Sequence, residues 1–237
     1  MTIKGQISKA VDFFNPLNLD NRGGLLIPIN LKIKDRDYYK YRHLKMNSYI
    51  NSLTSDDLPQ EFSPKAVRLV DVFRRKTFDL DYEVMLIFDY LTSEIIYCFV
   101  NDFEEGDCVQ GVVDEKIFNG KHIAIVHNHP IEYGSPPSDE NFQILSLKFQ
   151  DFEILSSWDG IWIIESKGIM SESEILDIKD KIKLFFDYSS EIGEKMDLDE
   201  KNIILKTDEV YGKLLLDYIN NHHSKIKLTK KELYYEN

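Results

Sequence analysis

The sequence predicts an α/β fold, in which a mixed, curved β-sheet is flanked by helices. Short apolar runs rich in Ile, Val and Phe indicate strands, and segments with helical spacing of apolar residues stand between them. Two pairs of these runs are separated by connections short enough for β-hairpins. The chain has 237 residues, of which 43% are hydrophobic, so it can bury a substantial core without disulfides or metal ions.

A polar stretch with two prolines, Asn51–Pro64, indicates a linker or surface loop, and we place a boundary there. The resulting division has three parts, namely an N-terminal extension over residues 1–62, a central domain over residues 63–170 and a C-terminal helical extension over residues 171–237. The last part is strongly charged and predicts helices from Ser171 to about Tyr188 and over Thr207–Asn221. It is either packed on the sheet or a small partner-binding module.

The central domain is predicted to begin with a helix at Ser63-Pro64, because Ser is a favoured N-cap and Pro suits the first helical position. Ser138 is the expected N-cap of a second helix over Asp139–Gln150. The strands follow in the order Tyr82–Phe88, Glu94–Val100, His122–Val126, Phe152–Ser157 and Ile161–Ser166. The first two strands form one hairpin and the last two form another.

Composition restricts the class of partner. The formal net charge of −12 repels phosphate backbones, so nucleic acid is disfavoured. No apolar run is long enough to cross a membrane, and residues 1–14 lack the features of a secretory signal. Cys98 and Cys108 are too few for a disulfide framework and are expected to be reduced thiols, so a cytoplasmic location is predicted.

The segment that carries chemistry is His127-Asn128-His129-Pro130. Two histidines at positions i and i+2, just past the end of a strand, project to the same side, so both imidazoles can face one ion. A catalytic zinc ion takes three protein ligands and keeps one position open for water. The first turn of the helix that starts at Ser138 is well placed to provide the third ligand.

These residues resemble the JAMM (MPN-plus, or JAB domain) zinc metalloprotease family, whose pattern is an upstream Glu, then His-x-His-Pro, then Ser-x-x-Asp. The bacterial and archaeal RadC-like branch is the most similar, and the resemblance covers about residues 63–168. It implies a cytidine-deaminase-like α/β fold and a Zn²⁺ cofactor. It also implies a protein or peptide substrate, such as a ubiquitin-like conjugate.

The resemblance implies a role for each matching residue. His127 and His129 match the two histidine ligands, and Ser138 matches the serine that stabilises the tetrahedral intermediate. Glu83 matches the catalytic glutamate, which takes a proton from the activated water and passes it to the leaving amine. Glu94 is the next candidate for this carboxylate, since the strand register is open.

One position departs from the family pattern. Ser-x-x-Asp here reads Ser138-Asp139-Glu140-Asn141, so Asn141 occupies the position of the third ligand. An amide oxygen can bind zinc, but it brings no charge, and Asp139 or Glu140 could bind instead. The sequence therefore predicts a zinc-dependent peptidase or isopeptidase. A metal-poor scaffold that binds proteins is the alternative, and a RadC-like protein connected to DNA is a weaker third option.

Overall fold

The computed structural model describes residues 53–77, 83–100, 115–129, 135–143, 150–157, 160–196 and 200–233. Its helices in these ranges are α1 (Pro64–Thr77), α2 (Asp139–Gln143), α3 (Glu172–Lys195) and α4 (Glu200–His222), with a 3₁₀ turn at Glu115–Phe118. Its strands are β1 (Val84–Asp89), β2 (Ile95–Val100), β3 (Ile123–Asn128), β4 (Phe152–Ser157), β5 (Gly160–Ser166) and β6 (Ile226–Glu232).

The strands form one six-stranded sheet in the order β2-β1-β3-β4-β5-β6. Among the described strands, only β3 and β4 run parallel, and the other four neighbouring pairs are antiparallel. Within the described residues the sheet is open, with β2 and β6 at its edges. The predicted α/β class, with a mixed sheet flanked by helices, is therefore confirmed.

Helix α1 covers one face of the sheet. Alternate side chains of β1, β3, β4 and β5 point towards it and form one core cluster with Leu69, Val70 and Phe73 of the helix. These three side chains are completely buried, and such burial stabilises the fold by about 1.5–3 kcal/mol for each large apolar side chain. As predicted, the hydroxyl of Ser63 caps α1 by accepting from the Ala66 N–H at 3.2 Å.

The opposite face of the sheet carries two separate buried clusters. Over β4, β5 and β6 it is covered by α3 and α4, with Trp162, Tyr211, Leu215 and Ile219 in one buried cluster. Over β1 and β3 it carries a smaller cluster that includes Phe118. The candidate site lies on this same face, opposite α1, where His127 of β3 approaches Glu153 of β4.

Several predicted bounds differ from the structure. Strand β3 continues through Asn128, so His127 lies within the strand and only His129 lies past its end. The described part of α2 ends at Gln143, and residues 144–149 of the predicted helix lie outside the described residues. Both C-terminal helices are longer than predicted, and the capping box at Ser171 is confirmed.

Strand β6 was not predicted. Its sequence IKLTKKE is rich in lysine, which conceals the alternation of the buried residues Ile226 and Leu228 with exposed positions. Lysine on an edge strand discourages pairing with other chains. The C-terminal part thus contributes a strand as well as two helices to the fold. The predicted domain boundaries stay predictions, and residues 1–52 of the N-terminal extension lie outside the described residues.

Candidate metal centre

Glu83, His127 and His129 come together at one end of β1 and β3. These strands are antiparallel with Met85 opposite His127, so the residue before β1 lies beside the end of β3. One ligand atom from each of the three side chains lies within 4.8 Å of the others, and all three residues are buried. Imidazole nitrogen and carboxylate oxygen are common ligands of transition metals, so this cluster could hold a metal ion.

Asn128 fixes the position of Glu83. Because side chains alternate along a strand, Asn128 points away from the side shared by the two histidines. Its side-chain oxygen accepts a hydrogen bond from the Val84 N–H at 2.7 Å, and the amide is buried. This contact joins the end of β3 to the start of β1, so it holds the backbone next to Glu83 beside the histidines.

Burial keeps His127 neutral. Desolvation lowers the pKa of His127 well below its usual value, and the neighbouring His129 lowers it further. The two imidazole centroids are 5.1 Å apart. A neutral imidazole has one unprotonated nitrogen with a lone pair, and this is the form that binds metal ions.

Asn141 contacts His127 through its amide nitrogen. Its Nδ2 atom lies 3.1 Å from Nε2 of His127, whereas its Oδ1 atom accepts from the Ser138 backbone N–H at 2.6 Å and from the Ser138 hydroxyl at 3.1 Å. A backbone N–H can only donate, so it determines which way the amide faces. In this rotamer the Asn141 oxygen is hydrogen-bonded to Ser138 at the start of α2. The predicted role of Asn141 as a metal ligand stays a prediction.

Asp139 faces a different partner. Its carboxylate lies 3.0 Å from Nζ of Lys179 on α3, and this contact raises the pKa of the lysine. Asp139 is absent from the ligand cluster found among the described residues, and Glu140 is exposed. The predicted role of Asp139 as the third ligand likewise stays a prediction.

The structure separates the two candidates for the catalytic carboxylate. Glu94 directly precedes Ile95, which pairs with Phe88 at the far end of β1 from Glu83. Its exposed carboxylate pairs with Lys121. Of the two glutamates, only Glu83 belongs to the cluster with His127 and His129.

Sequence reasoning missed Glu153, a completely buried residue on β4. Its Oε1 atom lies 3.4 Å from Nδ1 of His127, and it accepts hydrogen bonds from Asn141 at 3.3 Å and Gln150 at 3.2 Å. Desolvation raises the pKa of Glu153 to about 8; the two amide donors oppose the rise, and the charge of Glu83 adds to it. An acidic residue in the apolar run FEIL, on a strand with both faces covered, was the available signal.

Residues 135–138, which directly precede α2, are anchored by the C-terminal part of the chain. The backbone N–H of Ser135 donates to Asp208 of α4 at 2.9 Å, and the Ser135 hydroxyl accepts from the Trp162 indole at 3.0 Å. Two residues further, the Pro137 carbonyl accepts from the Tyr211 hydroxyl at 2.6 Å. These contacts fix the start of α2, and with it the positions of Ser138 and Asn141.

Comparison with known proteins adds no family assignment. No protein-family model, no curated protein and no solved structure matches this chain. None of the helices in the described ranges is both long and apolar enough to cross a lipid bilayer.

Proposed function

We propose that this chain is a zinc-dependent hydrolase of the JAMM type, which cleaves a peptide or isopeptide bond in a protein or peptide substrate, such as a ubiquitin-like conjugate. The observation that carries the proposal is the buried cluster of Glu83, His127 and His129. Its members come from the positions that the motif resemblance selects. The α/β fold, with a helix beginning directly after Ser138, is compatible with the same family.

The donor set fits zinc. Zinc takes imidazole nitrogen and side-chain oxygen as ligands, and sites with two histidines and one oxygen ligand are common among zinc hydrolases. Glu83 is reserved for proton transfer, so the third ligand in this proposal is Asn141 or Asp139. When bound, zinc acidifies a water molecule and polarises a carbonyl group. His127 and His129 are the ligands in this proposal, because both imidazoles lie in the cluster and burial holds His127 in its neutral form.

Glu83 is the proton carrier. Its carboxylate lies within the same small cluster as the imidazoles, so a water molecule held there is within its reach. It takes a proton from the attacking water and returns it to the nitrogen of the leaving amine, which keeps the proton count balanced. The Asn128–Val84 hydrogen bond holds the backbone beside Glu83 and so keeps the carboxylate next to the histidines.

Ser138 stabilises the negative oxygen that develops on the substrate. Its half-buried hydroxyl stands at the start of α2 and contacts Oδ1 of Asn141. A hydroxyl rotates about its C–O bond, so the same group can donate to a substrate oxygen. A donor already in place stabilises developing charge without reorganisation of the site.

A metal-poor scaffold that binds proteins is the second candidate, and one contact favours it. The amide N–H of Asn141 faces Nε2 of His127, so it competes with a metal ion for that lone pair. A carboxylate at position 141 would instead offer a negative oxygen.

The net charge of −12 disfavours nucleic acid as a partner in either case. The cytoplasmic location stays part of the proposal, and the free, buried thiol of Cys98 is compatible with it.

Elemental analysis of the purified protein tests the proposal. We expect one zinc ion per chain in the wild type, and its loss when His127 and His129 are both replaced by Ala. The matched control replaces two exposed histidines, His122 and His222, by Ala and should keep the zinc. Equal zinc content in all three proteins would contradict the assignment. A folded wild type that binds no zinc, even when the metal is supplied, would favour the scaffold.

A further inference from the structure

We infer that Glu153 is a positioning residue of the proposed metal site, which accepts a hydrogen bond from Nδ1 of His127 and so reserves Nε2 for the metal ion. The metal-binding part of this inference rests on the proposed function. The part that concerns the proton on His127 holds for the metal-free protein as well.

The orientation of the Asn141 amide determines which ring nitrogen of His127 lacks a proton. Its Oδ1 atom accepts from the Ser138 backbone N–H, so the Nδ2 group is the end that faces His127. An amide N–H₂ group only donates, and the ring nitrogen 3.1 Å away must therefore accept. Nε2 of His127 is the unprotonated nitrogen.

The other ring nitrogen of His127, Nδ1, faces Glu153. A neutral imidazole carries one proton, so an unprotonated Nε2 requires a proton on Nδ1. The Oε1 atom of Glu153 lies 3.4 Å from Nδ1 of His127. This is slightly longer than a normal N–H···O bond, and a shift of a few tenths of an ångström would close it. Glu153 is therefore the acceptor that faces this proton.

Glu153 is itself held in place. Its side chain is completely buried, and donors reach both of its oxygens, Asn141 at Oε1 and Gln150 at Oε2. A carboxyl group fixed in this way determines the ring orientation of a histidine ligand. Partners that accept the second N–H of a metal-binding histidine commonly contribute about 10–100-fold to metal affinity.

Nitrogen NMR of the metal-free protein tests the protonation of His127 directly. The wild type should show the proton on Nδ1 and an unprotonated Nε2. A wild-type protein with the proton on Nε2 would overturn the inference, whatever its zinc content.

Metal affinity tests the positioning role, with zinc titrated against a chromophoric chelator. Glu153→Met removes the acceptor at similar size and should weaken zinc binding by about 10–100-fold. Glu153→Gln keeps an acceptor oxygen and should restore much of the affinity, an outcome that a purely structural role does not predict. The matched control is Glu165→Met on β5, which should bind zinc as the wild type does. Thermal unfolding of each variant shows that it is folded.

Two results separate the failure of this inference from the failure of the proposed function. If Glu153→Met binds zinc as tightly as the wild type while the double His→Ala variant binds none, the metal site stands and the positioning role is overturned. Equal losses in Glu153→Met and Glu153→Gln would also overturn it, because charge rather than an acceptor oxygen would then decide affinity. If the wild type itself binds no zinc, the proposed function fails, and the NMR result alone decides the placement of the proton.

Discussion

Asn141 presents its amide nitrogen, not its amide oxygen, to Nε2 of His127 at a distance of 3.1 Å. The orientation follows from helix capping. The side chain of the third residue of α2 accepts the N–H of Ser138, which directly precedes the helix, as in one half of a capping box. The same side chain thus accepts a hydrogen bond at the helix start with its oxygen and donates one to the buried Glu153 with its nitrogen. A substitution at position 141 is therefore expected to change both the capping of α2 and the hydrogen bonding of the His127 imidazole.

Glu83→Gln should keep the metal and remove hydrolysis. The amide has nearly the same shape but cannot take a proton, so the rate should fall by about 10²–10⁴-fold on any peptide or isopeptide substrate that the wild type cleaves. Zinc content and turnover are measured on the same preparation. Glu94→Gln is the matched control, because Glu94 lies at the far end of the hairpin from the histidines. This variant should keep full activity. If Glu83→Gln lost the zinc, Glu83 would be a ligand and not the base.

The metal-free protein should lose stability as the pH rises through the titration of Glu153. Burial raises the pKa of Glu153 from 4.5 to about 8 in the folded state, so the folded protein binds more protons than the unfolded chain between these values. The contribution of Glu153 to the free energy of unfolding therefore falls with rising pH across this window and levels off above it.

Glu153→Gln removes this titration. The difference in free energy of unfolding, variant minus wild type, should rise between about pH 5 and about pH 8 and then stay level. Urea unfolding in the presence of a chelator measures it. His127, whose lowered pKa makes stability rise with pH below its usual value, titrates in both proteins and largely cancels in the difference. A difference that does not change with pH would mean that Glu153 is ionised throughout.

Helix α4 should support the site from a distance. Tyr211→Phe removes the hydrogen bond to the Pro137 carbonyl and should lower the free energy of unfolding by about 0.5–1.5 kcal/mol. It should also weaken zinc binding, because that carbonyl adjoins Ser138 at the start of α2. Tyr218→Phe on the same helix is the control, since it removes a hydrogen bond to Asp177 that lies outside the site. If both variants bound zinc equally well, the Tyr211–Pro137 hydrogen bond would have no influence on the metal centre.

Local patterns predicted what depends on local chemistry. Short-range spacing predicted the N-caps at Ser63 and Ser171 and the two hairpins. It also predicted that the two histidines at the end of β3 face the same side. Glu153 could not be paired with His127 from sequence, because the contact depends on β3 and β4 being parallel neighbours with Ile125 opposite Glu153. A parallel pairing requires a long crossover connection, and no local signal sets its register.

The choice between Glu83 and Glu94 depended on long-range structure in the same way. Both residues adjoin strands of one hairpin, and only the pairing of β1 with β3 shows which end of the hairpin meets the histidines. The predicted ligand role of Asn141 depended on which end of an amide faces the site. That orientation is determined by the hydrogen-bond network and not by the residue type.

The substitution that decides between enzyme and scaffold is Asn141→Asp. A carboxylate at position 141 can still accept the Ser138 N–H with one oxygen, and its other oxygen replaces the N–H₂ group that now faces Nε2 of His127. It offers an anionic ligand in place of a donor, so zinc affinity should rise, and hydrolysis should rise or appear if Glu83 and Ser138 are in place. Zinc titration and turnover on one preparation measure both effects.

Asp139→Ala is the matched comparison, because Asp139 lies on the same helical turn and faces Lys179. If Asn141 holds the third position, Asp139→Ala should leave zinc affinity nearly unchanged. If Asp139 is the ligand in solution, Asp139→Ala should strip the metal while Asn141→Asp changes little. In that case α2 would have to turn away from Lys179 when zinc binds.

Asn141→Asp has a third informative outcome. Asn141→Asp could weaken binding, since Glu153 lies 3.3 Å from the present amide nitrogen and two carboxylates would then compete for one proton. That result would mean that the present Asn–Glu pair, and not an Asp, is the arrangement this site requires.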